Sequence, residues 1–445
     1  MASSTSPCVT MPATKSLQPQ SRLGLLSSLP SPRALLVSLA RSSILSVLSE
    51  AIKIGHLTIA DASGDTQYGT FEPGCNDVHL RVVDDTFWLR LLTSADLGFS
   101  EAYMIGDIEI NSLQGAMKLW LDNQSSMEAT LSSTVSRISS TLSAFYNNVL
   151  GQSRSNARLN AIASYDQSNE LFKAFLSKEM MYSCALWDEA EGGVRGDLVS
   201  GPTPGDLEAA QRRKIHHVLR CARVRPGDRI LEFGSGWGGM AIEAAGTFGC
   251  EVDTLTLSKE QKALAEERVR AAGLEGRFEH AFDAFVSIEM IEHVGAKHYE
   301  TYFKLVDFAL KPQNATAIVT SSTFPECRYT GYQAEDFMRR YMWPNSALPS
   351  ATVLINAANV ASQGRFTLHG IPSHAPRMGP PLGEESCAGR GCEDIPDLTS
   401  PAQYEVFKRK WEYLFAYAGA GFAKGYITCH MLTFIRGNDC PEPCD

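Results

Sequence analysis

Arg229-Ile230-Leu231-Glu232-Phe233-Gly234-Ser235-Gly236-Trp237-Gly238-Gly239, RILEFGSGWGG in one-letter code, decides how the chain is read. An apolar run of strand length breaks into glycines, and the helical spacing of 241–247 follows. A strand ending in glycines before a helix sets backbone N–H groups and a positive helix end at a sheet's carboxyl edge. That geometry seats a nucleotide-like ligand, although a plain turn satisfies the same pattern. Two features narrow the ligand. Trp237 is bulky where a dinucleotide pyrophosphate needs close backbone approach, and the following strand ends in Thr256-Leu257 without the acid that grips an NAD ribose.

The acid before the glycines, Glu232, suits S-adenosylmethionine better. It can take polar groups of that cofactor while the loop admits its amino-acid part. Working outward, strand signals at 251–257, 284–290 and 316–321 alternate with helical spacing at 258–272 and 299–310. Ser258 and Gln261 have the spacing of a capping box. This alternation predicts a doubly wound, largely parallel sheet over 156–369 and 402–436. Upstream, a helix over 34–54, short strands at 56–60, 69–71 and 78–82, and helical spacing over 84–122 predict a smaller mixed α/β domain over 31–150. Residues 1–30, rich in Ser and Pro, read as a disordered tail with weak mitochondrial-targeting character. The Pro- and Gly-crowded stretch 370–401 reads as an irregular insertion, and 437–445 as a tail.

At 445 residues the chain has room for two such units. Its net charge of -10 excludes broad, sequence-independent nucleic-acid binding, which needs clustered Lys and Arg. The 11 cysteines lack CxxC pairs or Cys/His spacing for zinc, so no metal site is expected and the thiols suit a cytoplasmic setting. No uninterrupted apolar run looks long enough to cross a bilayer, which leaves peripheral membrane contact. Arg339-Arg340-Tyr341-Met342-Trp343 fits either such an interface or the solvated end of a helix.

Ordered motifs add a resemblance. Met181-Tyr182-Ser183-Cys184, the glycine loop, Thr256-Leu257-Ser258-Lys259-Glu260-Gln261, Ser287-Ile288-Glu289-Met290-Ile291-Glu292-His293-Val294-Gly295, Tyr341-Met342-Trp343-Pro344 and Phe407-Lys408-Arg409-Lys410-Trp411-Glu412 run in series. In these the chain resembles the cyclopropane-fatty-acyl-phospholipid synthase and mycolic acid cyclopropane synthase family of S-adenosylmethionine-dependent methyltransferases. The resemblance implies a Rossmann-like class I methyltransferase domain behind a small N-terminal domain. It implies methyl transfer to the double bond of an unsaturated phospholipid acyl chain, with a cyclopropane or methyl-branched product. By the same resemblance Tyr182, Ser183, Glu232, Gly234, Ser235, Gly236, Thr256, Leu257, Gln261 and Ile288 hold the cofactor. Cys184 and Glu292 match two members of a group that surrounds a bicarbonate beside the transferred methyl.

Three departures qualify the match. Residues 276–283 are too few to cross a sheet as a third strand, make a cofactor loop and return. Ile318-Val319-Thr320-Ser321-Ser322-Thr323 stands where the family has a His, and 370–401 replaces the helix carrying its Tyr. A methyltransferase acting on another hydrophobic molecule, or an inactive cofactor- or lipid-binding relative, therefore stays open beside the first reading.

Overall fold

The computed structural model describes residues 31–127, 172–173, 176–189, 205–256, 282–344, 346–370, 378–379 and 401–437. The predicted helix over 258–272, and Leu257 and Gln261 with it, lie outside them, as does most of 370–401.

The small domain runs α1 (Pro32–Ala51), β1 (His56–Asp61), β2 (Gly64–Gly69), β3 (Asp77–Val82), α2 (Thr86–Ile105), β4 (Ile108–Ile110) and α3 (Leu113–Asp122). Its sheet has the order β2-β1-β3-β4, with β1 and β3 parallel and the other pairs antiparallel. Serines start two helices: Ser31 Oγ accepts the Ala34 N–H at the head of α1, and Ser112 Oγ accepts that of Gly115 at the head of α3. Pro32 at the first turn of α1 adds a residue preset for helix. The helix α2 breaks at Ala95, with φ 46° and ψ −121°, and its halves approach closely. A Cβ on Gly98 would lie 2.1 Å from Arg90 O, so only glycine fits. Two expectations change here. The second strand is 64–69 rather than 69–71, because an edge strand reading Asp65, Thr66 and Gln67 carries little apolar signal. And α1, at mean hydropathy 1.4, is long and apolar enough by composition to cross a membrane, while 17% of that window is buried. Its buried Ala40, Ile44 and Ala51 belong to the small-domain core.

The large domain contains β5 (Ala185–Leu186), α4 (Asp206–Cys221), β6 (Arg229–Phe233), α5 (Gly239–Phe248), β7 (Glu251–Leu255), β8 (Ala284–Ile288), α6 (Tyr299–Ala309), β9 (Thr316–Thr323), α7 (Ala351–Ala361), β10 (Phe366–Gly370), β11 (Met378–Gly379), α8 (Pro401–Ala423) and β12 (Thr428–Arg436). Six strands form one sheet in the order β10-β12-β9-β8-β6-β7. Strands β6 to β9 pair in parallel, and β12 is antiparallel to both its neighbours. Ile215, Val218, Met240 and Ala244 of α4 and α5 cover one face; Phe303, Val306, Leu354 and Ala358 of α6 and α7 cover the other. The predicted doubly wound sheet is present. Among the described residues β7 is an edge, with no third strand beyond it. Within the irregular stretch, Met378–Gly379 pairs with Ala185–Leu186.

The 23-residue helix α8 joins the domains. Its Trp411, Tyr413 and Leu414 share a core cluster with Met104, Leu113 and Met117 of the small domain. Each such fully buried side chain contributes about 1.5–3 kcal/mol relative to exposure. Polar contacts fix the orientation: Tyr103 donates to Glu412 Oε2 at 2.9 Å, and Lys424 Nζ meets Asp122 Oδ1 at 2.5 Å. Tyr341 donates to Glu101 Oε1 at 2.9 Å from a π-turn spanning Met338–Met342. The 339–343 cluster is thus a joint between domains, with Tyr341 and Met342 buried.

Candidate functional site

Strand β6 ends at Phe233, and Gly234, Gly236 and Gly238 all take left-handed φ values of 92°, 46° and 80° before α5 begins. L side chains rarely adopt that backbone. Gly234 N–H and Ser235 N–H both donate to Leu255 O at the end of β7, which fixes the loop against its neighbour strand. A Cβ at Gly236 would meet nothing within 4 Å, so the loop faces open space there. Trp237 turns the other way. It is buried, its ring 4.9 Å from that of Phe172 and 6.0 Å, edge-on, from that of Tyr182. The bulky residue that argued against a dinucleotide is core packing.

Beneath the loop, Glu232 is buried, and its Oε2 takes no hydrogen bond from the described residues. Burial lifts its carboxyl to about 7, against the opposing contact with Thr254. An unpartnered buried carboxylate oxygen beside an open glycine cradle fits a ligand bearing an ammonium or hydroxyl groups. Thr256 follows β7 half-buried, Ser235 is buried in the loop, and Ile288 ends β8 half-buried.

A second group of residues lies alongside, held by α4. Gln211 Nε2 donates to the carbonyls of Met181 and Ser183 at 3.2 and 2.9 Å, and Lys214 Nζ donates to Ser183 Oγ at 2.5 Å. This anchors the strap carrying Tyr182, Ser183 and Cys184. Cys184 N–H in turn donates to Glu289 Oε1 at 2.8 Å. Glu289 itself has φ 48°, a left-handed conformation costing an L residue roughly 1–2 kcal/mol. Its backbone N–H donates to Thr320 O, and Ser322 Oγ stands 3.4 Å from its Oε2. One short turn later Glu292 Oε1 accepts the Ser322 N–H at 2.7 Å, while its Oε2 has no partner among the described residues.

Burial dominates the electrostatics. Glu292 is pushed up to about 8, first by burial and then by the neighbouring Glu289. Glu289 is raised by burial and pulled back by Lys214. Lys214, itself fully enclosed, is lowered to about 8 by burial against the attraction of Glu289. Two carboxylates facing one space cannot both ionise freely, so they titrate as a pair. Cys184 Sγ, Cys429 Sγ and a Glu289 oxygen lie within 4.8 Å of one another. Contact with the Cys429 thiol favours the Cys184 thiolate, but burial and Glu289 outweigh it, and the Cys429 thiol is raised well above its usual range. Both stay protonated at neutral pH, and the local positive charge is the Lys214 ammonium.

Tyr182, Cys184, Glu289 and Glu292 line a cavity of about 460 Å³ that continues between the domains. Of the residues expected from sequence, Tyr182, Cys184 and Glu292 line this cavity, while Ser183 is held by α4, Glu232, Gly234, Ser235 and Gly236 stand at the end of β6, and Thr256 and Ile288 stand at the ends of β7 and β8. Sequence reasoning passed over Glu289 and Lys214. The signal for Glu289 lay inside a quoted motif, as a second acid three residues before Glu292.

A family model described as mycolic acid cyclopropane synthetase matches residues 152–432. Tuberculostearic acid methyltransferase UfaA1 of Mycobacterium tuberculosis is 32% identical over 353 residues, covering 76% of this chain and 79% of that protein. Cyclopropane-fatty-acyl-phospholipid synthase of Escherichia coli is 30% identical over 289 residues, 62% of this chain and 68% of that protein. Among solved structures, the cyclopropane synthase MmaA2 from Mycobacterium tuberculosis aligns at a TM-score of 0.48 and 22% identity, over 62% of this chain and 97% of that one.

Proposed function

The chain belongs to the mycolic acid cyclopropane synthetase family, and from that premise we propose that it adds a one-carbon unit to the double bond of an unsaturated phospholipid acyl chain. It is an S-adenosylmethionine-dependent methyltransferase of that type. The observation carrying the finer reading is the Glu289–Glu292 carboxylate pair, set beside the glycine loop at the wall of a long apolar cavity.

S-adenosylmethionine, when bound, supplies an electrophilic methyl group. Gly234 and Gly236 would hold it through backbone, Glu232 through its free carboxylate oxygen, and Tyr182 and Thr256 would flank it. An alkene is a weak nucleophile, and its attack on that methyl leaves a carbocation on the acyl chain. The carboxylate pair stabilises that charge from the wall of a largely apolar cavity. Ring closure then needs a proton removed from the new methyl carbon. Its C–H electron pair closes the third ring bond, and the proton passes to Glu289. Loss of a proton from a neighbouring chain carbon instead leaves a methyl branch beside a carbon–carbon double bond.

This reading gives the proton to Glu289 rather than to a bicarbonate. The Cys184 and Ser322 N–H groups already bind Glu289 and Glu292, so neither is open to an added anion. An added anion would crowd a carboxylate pair that already shares its charge, with Lys214 as the cation beside it among the described residues. The test is incubation of the full chain with unsaturated phospholipid and S-adenosylmethionine, followed by mass analysis of the acyl chains. A gain of one CH2 supports the reading, and fragmentation separates ring from branch. Unchanged acyl chains despite measured cofactor binding would sink it.

A further inference from the structure

The cavity does not stop at the carboxylates. On the small-domain side its walls are the half-buried Leu91, Phe99, Ile110, Ala116 and Leu121, with Trp120 more exposed, and fully buried Trp88 lies behind them. Tyr413, Leu414 and Tyr417 of α8 form the wall common to both domains. Protein interiors normally leave few voids larger than a water, whose share of volume is about 30 Å³. A continuous apolar space of about 460 Å³ is therefore a ligand volume rather than loose packing. Asp96 and Gln124 are the polar side chains that the small domain adds to this lining, and it adds no cation.

We propose that the small domain binds the methyl-terminal half of the acceptor's acyl chain and so sets which chain lengths are modified. The proposal rests on the lipid-modifying reading above. A chain whose double bond sits at Glu289 and Glu292 has an apolar remainder that must go somewhere dry. The apolar space continuous with that point runs on between α2, β4, α3 and α8. The cavity's arginine, Arg339, comes from the large domain, and the small domain offers a headgroup no cationic partner, so the end that enters it is the hydrocarbon one.

The test uses the full chain with S-adenosylhomocysteine and phospholipid vesicles whose acyl chains carry adjacent bromines, placed either at mid-chain or near the methyl end. Bromine quenches tryptophan at short range, and Trp88 is too deeply enclosed to meet lipid from outside. The fluorescence that a Trp88→Phe variant loses isolates its contribution. Stronger quenching of that component by methyl-end bromines is expected. Trp88 untouched by either probe, in a preparation that converts unsaturated phospholipid when given S-adenosylmethionine, overturns the subsite while leaving the activity standing. Absence of both product and quenching overturns the two together. A cavity-filling Ala116→Phe variant gives an independent readout, with folding checked by unchanged S-adenosylhomocysteine binding. Its kcat/KM should fall about tenfold for long chains and stay nearly level for short ones, about the discrimination a few methylenes provide. An equal fall for both lengths contradicts the proposal.

Discussion

Glu289 Oε1 takes the backbone N–H of Cys184 at 2.8 Å, across 105 residues of chain. That bond aims one carboxylate oxygen at a fixed point in the cavity wall and leaves the other beside Ser322. A Glu289→Gln variant keeps an acceptor for Cys184 but cannot take a proton. Its kcat should fall about a hundredfold or more, while affinity for S-adenosylhomocysteine stays within about twofold. Stopped turnover and calorimetric binding check the split; a parallel loss of both would assign Glu289 to cofactor binding.

Glu292 carries the pH dependence. Held up at about 8, its carboxyl gains charge only as pH rises through that value. The charged form is the one that stabilises a carbocation, so kcat should climb with pH up to about 8 and then level. Glu292→Gln should flatten this limb. A variant profile that still climbs would place the titration elsewhere.

Lys214 sets the balance of the pair. Its ammonium pulls the Glu289 carboxyl down against burial. Lys214→Met should move the rising limb of the pH–rate profile to higher pH, with lost activity at neutral pH partly recovered in alkali. An unmoved limb would reduce Lys214 to an anchor for Ser183.

Glu232 links cofactor binding to stability. Its folded value of about 7 lies above the ordinary 4.5, so the fold prefers the protonated form. The stabilisation is complete below the unfolded value and lost as pH rises towards 7, at most about 3 kcal/mol across that window. Denaturant melts of Glu232→Gln should show a shallower fall over the same range. S-adenosylhomocysteine should bind the native protein more tightly as pH rises through 7, and the variant with little pH dependence.

Much of this was legible in residue order. The strand 229–233 was predicted to the residue, because the strand-length run stops at Gly234, Gly236 and Gly238, whose left-handed φ values end it. Glu292 was named from its motif, and the structure buries it in the cavity wall. Glu289 was missed because its role depends on a left-handed backbone that swings its side chain to Cys184, and local patterning holds no trace of that contact. Lys214 was missed for a different reason. Within Arg212-Arg213-Lys214 it looks like part of a solvated basic face, yet it shares the buried face of α4 with Gln211, Ile215 and Val218.

The domain joint makes a further expectation. Tyr103→Phe and Tyr341→Phe each remove a hydrogen bond to a carboxylate, costing about 2 kcal/mol apiece. Chemical denaturation should still show one transition, since the apolar part of the joint is intact. Two separated transitions would show that these hydroxyls alone couple the domains.

The helix α8 walls the cavity and at the same time belongs to the core beneath the small domain. The covalent link between the domains is therefore not what keeps them together. Cut between them, the two pieces would remain one particle, and co-expressed as separate chains they would find each other and restore a working enzyme.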